Sequence, residues 1–206
     1  ISDQLDEIFS HFSRGSVQRK ILKAEHANLR YEEGRSSELI SEFYRLLLLT
    51  RRRHQIPPQP IEWFQTLAKC LGDAFKVRVA FKEGRPIASI VTLQSARTMV
   101  YEYGCSDDAH WNLGGIQLLL WKAIQESALA GCGNFDFGRS DLEHKGLISF
   151  KERWGAKRRL LSYWTTPPVG EPGRGVLDSS LARRAFSFVP DQMLVLFGRV
   201  MYRYIA

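Results

Sequence analysis

Cysteine is scarce in this sequence. Cys70, Cys105 and Cys132 are the only three in 206 residues. They are too scattered for a disulfide framework, and Cys132 has no cysteine or histidine three or four residues away to complete a metal pair. All three therefore read as reduced thiols, as expected of a cytoplasmic chain. Long apolar runs are lacking too. Leu46 to Leu49 and Met193 to Phe197 are far short of the roughly 20 residues of a membrane-spanning helix. A secretory leader pattern, low-complexity tracts and internal repeats are all missing. The five histidines (His11, His26, His54, His110 and His144) and the serines form neither a nucleophile elbow nor a His-Glu-x-x-His pair. This argues against a hydrolytic triad and against a zinc site of that type.

What remains is the make-up of a globular protein, with 44% hydrophobic and 25% charged residues, enough for one domain with a proper core. Lys plus Arg outnumber Asp plus Glu by 29 to 22, leaving a net charge of +7. Such an excess favours anionic partners such as phosphates, nucleic acid or a membrane surface, and says nothing about fold.

Hydrophobic spacing predicts helix over much of Asp3 to Leu29, then a stronger helix from Glu38 to Arg53 with Leu39, Phe43, Leu46, Leu47 and Thr50 on one stripe. The prolines of Ile56-Pro57-Pro58-Gln59-Pro60 enforce an extended segment, and Ile61 to Leu71 returns to helix. The period then changes to two. Val77, Val79 and Phe81 alternate with Arg78, Ala80 and Lys82 as a half-buried strand. Pro86 to Leu93 reads as a second strand, and a third has Met99, Tyr101 and Tyr103 on one face. An apolar helix from Gly115 to Ala130 follows, stopped by Gly131. Asn134 to Phe137 is expected as strand, Ser149 to Trp154 as a short helix or turn, and Leu160 to Trp164 as a last strand. Ser179 to Phe188 and Asp191 to Ile205 read as closing helices. This order predicts an α+β fold, an antiparallel meander followed by β-α-β with its helix crossing the sheet.

Four groups are candidates for chemistry. Asn112-Leu113-Gly114-Gly115 opens the long helix, where exposed amides suit a phosphate; a plain Asn-capped helix explains the same residues. In Phe135-Asp136-Phe137-Gly138-Arg139-Ser140 the phenylalanines point one way and Asp136 the other. The Gly-Arg-Ser beyond the strand suits a ligand, whereas Asp136 capping nearby amides and pairing with Arg139 is the structural alternative. Lys151, between Phe150 and Trp154, either aims an ammonium into a pocket to hold an oxyanion or is simply solvated. Tyr101 and Tyr103 either line a groove or belong to the core. The basic runs Arg51 to Arg53 and Lys157 to Arg159 are solvated faces or meet phosphates.

In their order and spacing these segments resemble the FemAB-like branch of the GNAT acyltransferase superfamily. The resemblance runs from about Ser16 onward through Thr50-Arg51-Arg52-Arg53, Ile56-Pro57-Pro58-Gln59-Pro60, Tyr101-Glu102-Tyr103-Gly104, Leu118-Leu119-Leu120-Trp121, Phe135 to Ser140 and Phe150-Lys151-Glu152-Arg153-Trp154-Gly155. It implies a GNAT-like fold, a mixed, mostly antiparallel sheet flanked by helices, spanning residues 1–206 as one domain and matching the C-terminal half of a two-domain protein. It also implies N-acyl transfer from an activated thioester or ester to an amine on a cell-envelope or polysaccharide precursor. A non-catalytic module recognising such a phosphate-bearing precursor is the alternative. By the same resemblance, Lys151 holds the donor carbonyl oxygen, while Arg51, Arg53, Tyr101 and Tyr103 contact the acceptor. Arg139 and Ser140 join the substrate set, and Asp136 or Glu102 is a candidate proton acceptor. Asn112, Gly114 and Gly115 would meet donor phosphate, with acyl-CoA or aminoacyl-tRNA as co-substrate, no resident cofactor and no metal. Beyond Arg53 the expected tyrosine is missing, and the Gly114-Gly115 loop only loosely echoes the CoA-binding loop of acetyl-CoA-dependent members. Residues 190–206 form an amphipathic helix whose Met193, Phe197, Val200, Met201 and Tyr204 would pack on a core, on the missing N-terminal domain, or on the inner face of a membrane.

Overall fold

The computed structural model describes residues 2–164 and 190–205. The helical opening stretch is divided into α1 (Ser2–Ser10) and α2 (Arg19–His26), joined through a wide π turn at Arg14–Gln18. A short strand that the sequence spacing does not predict, β1 (Arg30–Gly34), comes next, followed by α3 (Ser37–His54) and α4 (Ile61–Leu71). The meander is β2 (Phe75–Lys82), β3 (Arg85–Ser95) and β4 (Thr98–Ser106). Then come α5 (Gly115–Leu129), β5 (Asn134–Asp136), α6 (Lys145–Glu152) and, beyond the residues left undescribed, α7 (Asp191–Ile205). Residues 160–164 form no strand, and Leu160 and Trp164 are 89% and 94% exposed. Apolar β-type composition alone does not make a strand where no neighbour supplies hydrogen bonds. The helix expected over Ser179 to Phe188 lies outside the described residues.

The strands form one sheet in the order β1-β2-β3-β4-β5, antiparallel throughout except for the β4/β5 pair. Parallel pairing there requires a crossover, and α5 provides it. The architecture is the expected α+β arrangement of a mixed sheet between helices. On one face Ile90, Met99, Leu119, Leu120 and Trp121 share a core with Phe12 and Ile21 of the N-terminal segment. On the other, Phe43 of α3 and Phe64 of α4 meet edge to face with ring centroids 4.9 Å apart.

Arg78 corrects the half-buried reading of β2. It has no exposed surface, because α5 covers the face that the alternation assigns to solvent. Its guanidinium bonds Thr92 and the Glu126 carboxylate of α5, with Nε 3.4 Å from Glu33. Lys76 closes the network at 2.6 Å from Glu126 and 3.2 Å from Glu33. Removing one member of a buried ion pair leaves its partner uncompensated. Arg78→Met is therefore expected to cost about 3 kcal/mol in urea unfolding; a change near zero would mean that the network contributes nothing to stability.

The chain divides into two compact units. One holds residues 1–50 and 61–156; the other holds 51–60 and 157 onward. Within the second, Arg52 pairs with Asp191 at 2.5 Å and Arg51 donates to Gln59 at 3.0 Å. Gly198 of α7 fits against the Pro58 carbonyl so closely that an added Cβ would stand 2.0 Å from the oxygen.

Candidate active site

Strand β4 does not keep one register along its length. Thr92 of β3 faces Tyr101 and Val91 faces Tyr103, so Glu102 is an extra residue, a β-bulge. This reverses the side-chain alternation. Tyr101 lies with Ile90 and Met99 on the α5 side, its ring 6.3 Å from Phe137. Tyr103 packs on the opposite face against Phe64 at 5.2 Å and Phe43 at 6.2 Å. The expectation that the two phenols share a face is thus corrected. The Tyr101 ring lies over Gly104, where an added Cβ would meet the phenol oxygen at 1.8 Å. Burial raises the Tyr101 pKa above the usual tyrosine value, so the hydroxyl keeps its proton at neutral pH.

The parallel pairing of β4 with β5 covers only Thr98/Asn134, Met99/Phe135 and Val100/Asp136. At Gly138 (φ +69°) the chain passes so near the Tyr101 carbonyl that a Cβ would sit 3.2 Å from its oxygen. Asp136 Oδ1 accepts the Gly138 N–H at 2.7 Å, a local turn that sets the direction of the departing chain. Lys151 Nζ then donates to the carbonyls of Gly138 at 2.7 Å and Arg139 at 2.9 Å. Three residues further on, Trp154, 4% exposed, joins an aromatic cluster, 5.0 Å from Phe12, 6.0 Å from Phe137 and 6.5 Å from Phe150. Burial lowers the Lys151 pKa below the usual lysine value, with the Asp136 charge opposing in part.

Arg139 faces Asp141 at 3.8 Å. Ser140 Oγ is buried with no hydrogen-bond partner among the described residues. The structure therefore gathers Asp136, Arg139 and Lys151 at the end of β5, with Tyr101 behind them, and puts Tyr103 across the sheet. Arg51 and Arg53 belong to the second unit. Asn112 is exposed in a 3-10 turn, Asp108–Leu113, that Asp107 caps by accepting the Ala109 N–H at 3.0 Å. The residue at the N-cap of α5 is Gly114, so Asn112 does not cap that helix. Gly114 and Gly115 are both needed for packing: added Cβ atoms would stand 2.2 Å from the Lys20 carbonyl oxygen and 2.8 Å from the Ala88 Cβ. The spacing of motifs does not identify the two carbonyls that seat Lys151, since backbone acceptors leave no mark in side-chain identity. No group of three or more metal-ligating side chains occurs among the described residues.

A sheet whose β4 and β5 run parallel for three residues around a crossover helix is the setting for the sequence comparison that decides the family. Residues 11–146 match the acetyltransferase (GNAT) domain. The chain belongs to the GNAT family. No curated protein matches it in sequence. Among solved structures, this GNAT domain is similar to FemX at a TM-score of 0.66 and 14% identity, over 73% of this chain and 56% of FemX. It thus spans little more than half of the FemX chain. An aminoglycoside acetyltransferase from an uncultured soil metagenomic sample, in complex with trehalose, aligns at a TM-score of 0.53 and 17% identity over 68% of this chain and 97% of its own. Aminoglycoside N-acetyltransferase AAC(6')-Iy in complex with CoA aligns at 0.54 and 12% identity, over 68% and 95%. Likeness at these identities establishes a shared fold. None of the described helices is long and apolar enough to cross a membrane.

Proposed function

We propose that this GNAT domain is an N-acyltransferase that moves an acyl or aminoacyl group from an activated thioester or ester to an amine. The observation that carries the proposal is the Lys151 ammonium, half-buried and held by two carbonyls where β5 leaves β4. A lysine uses at most three N–H donors, so one remains for a substrate oxygen. Beyond Val100 the edge of β4 has no strand neighbour among the described residues, which suits an extended donor arm lying along it as an added strand.

The donor is already activated, so alignment supplies much of the rate. The amine nitrogen attacks the acyl carbon and the carbonyl electrons move onto oxygen, where Lys151 stabilises the negative charge. As the intermediate collapses, the thiolate or alkoxide leaves and the nitrogen gives up its proton. Asp136 is the acceptor we favour, because one of its oxygens holds the Gly138 amide and the other remains for the proton. Arg139 and Ser140 line the approach of the amine substrate, with Tyr101 as an uncharged wall. We assign Asn112 with the Gly114-Gly115 turn to the phosphate end of the donor.

We place the domain in the FemAB-like branch, as the C-terminal half of a two-domain enzyme working at the inner face of a membrane on a phosphate-bearing envelope precursor. The FemX likeness and the order of the motifs support this reading. For the donor we favour an acyl-CoA over an aminoacyl-tRNA, because a relative of this fold is found with CoA. At a hundredfold excess over Kd, acetyl-CoA is expected to stabilise the chain by about 2.7 kcal/mol, a rise in Tm on the order of 5–10 °C. A flat thermal-shift response to acetyl-CoA, longer acyl-CoAs and CoA would exclude the acyl-CoA donor.

A further inference from the structure

Helix α2 is amphipathic in an unusual sense. Its inner side, Ile21 and Ala24 continued by Val17 of the preceding turn, is fully buried. Its outer side carries Arg19, Leu22, Lys23 and His26 at i, i+3, i+4 and i+7, all exposed, so they form one stripe. Arg14 of the π turn extends it. These residues and Gln18 line a shallow depression of about 460 Å³. Beside the stripe, Lys20 sets its ammonium 5.7 Å from the ring centre of Trp111, which is 72% exposed. No carboxylate pairs with Arg14, Arg19 or Lys23 among the described residues. Glu25 is the only acid in α2.

Like-charged side chains standing together without counter-ions repel one another, and folding gains nothing from the arrangement. An external anionic surface relieves the repulsion. The stripe also exposes Leu22, 48% accessible, in its middle and Trp111 at its flank. An aliphatic side chain ringed by arginine and lysine gains from a boundary where hydrocarbon lies directly beneath phosphate, while the cationic stems bury their methylenes and keep their charges at the headgroups. Tryptophan prefers the same depth. A nucleic-acid strand would neutralise the charges but offers Leu22 no comparable apolar layer. We propose that the outer face of α2, with Arg14 and Trp111, docks this domain on an anionic lipid bilayer. The depression takes a phosphate headgroup and Leu22 enters the acyl boundary.

The test is sedimentation of the whole chain with vesicles of phosphatidylcholine, alone or mixed with phosphatidylglycerol. The wild type is expected to sediment with the anionic vesicles only, and less as salt is raised. With two cations removed from the surface, Arg19→Gln/Lys23→Gln is expected to partition about thirtyfold more weakly. Leu22→Ser leaves the charge unchanged and is expected to weaken partitioning severalfold. All three side chains are exposed, so the variants keep the fold, as an unchanged circular-dichroism melt would verify. Three results would overturn the proposal: no wild-type sedimentation, sedimentation that survives both variants, or indifference to Leu22→Ser combined with tighter binding to polyuridylate than to anionic vesicles.

Discussion

Lys151→Met is expected to lower kcat/KM by about a hundredfold to a thousandfold, the loss typical of deleting one oxyanion donor. Methionine is close to lysine in length and keeps its apolar stem, so the substitution removes the charge with little change in volume. Donor binding, followed as the thermal shift with acetyl-CoA, should survive. The pH profile gives an independent readout. Only the protonated amine stabilises an oxyanion, and burial lowers the Lys151 pKa below its ordinary 10.5. Turnover should therefore fall as pH rises through that lowered value, earlier than an ordinary lysine would dictate, and this alkaline limb should vanish in the methionine variant. Undiminished turnover by Lys151→Met would remove the lysine from the mechanism.

The second large effect concerns the fold beneath the site. Gly114→Ala combines two penalties, a left-handed backbone at φ +78° and a methyl group 2.2 Å from the Lys20 carbonyl oxygen. Helix α2 and the start of α5 would have to move apart, at a cost of roughly 4 kcal/mol. Gly84 supplies the control. It has the same φ of +78° but nothing within 4 Å of an added Cβ. Gly84→Ala should lose only the conformational part, about 1 kcal/mol. Urea unfolding of the two variants isolates the clash by subtraction. Equal losses would mean that α2 yields without cost and that the close approach is not a constraint.

Much of the fold is legible in the sequence because its periods are regular. The meander, the crossover helix with its Gly131 stop and the α3 stripe follow from apolar spacing alone. Strand β1 escapes because Arg30-Tyr31-Glu32-Glu33 offers no apolar alternation; as an edge strand it is only half covered and tolerates charge. Arg78 is misjudged for the reverse reason. A charged residue at an alternating position reads as solvent-facing, and only the carboxylates of Glu126 and Glu33, distant in sequence, reveal that it is buried and paired. At the site, Lys151 and Asp136 stand out as charges among aromatics, and both lie where β5 ends. The separation of Tyr101 from Tyr103 is hidden, since an inserted residue alters pairing without altering composition. The Tyr101-to-Gly104 interval is its one trace, a glycine required where a ring folds over the backbone.

That inserted residue gives β4 two masters. Ahead of Glu102, Met99 and Tyr101 pack with the crossover helix; after it, Tyr103 packs with α3 and α4. Mutations that reshape the packing around one tyrosine therefore need not disturb the layer that holds the other.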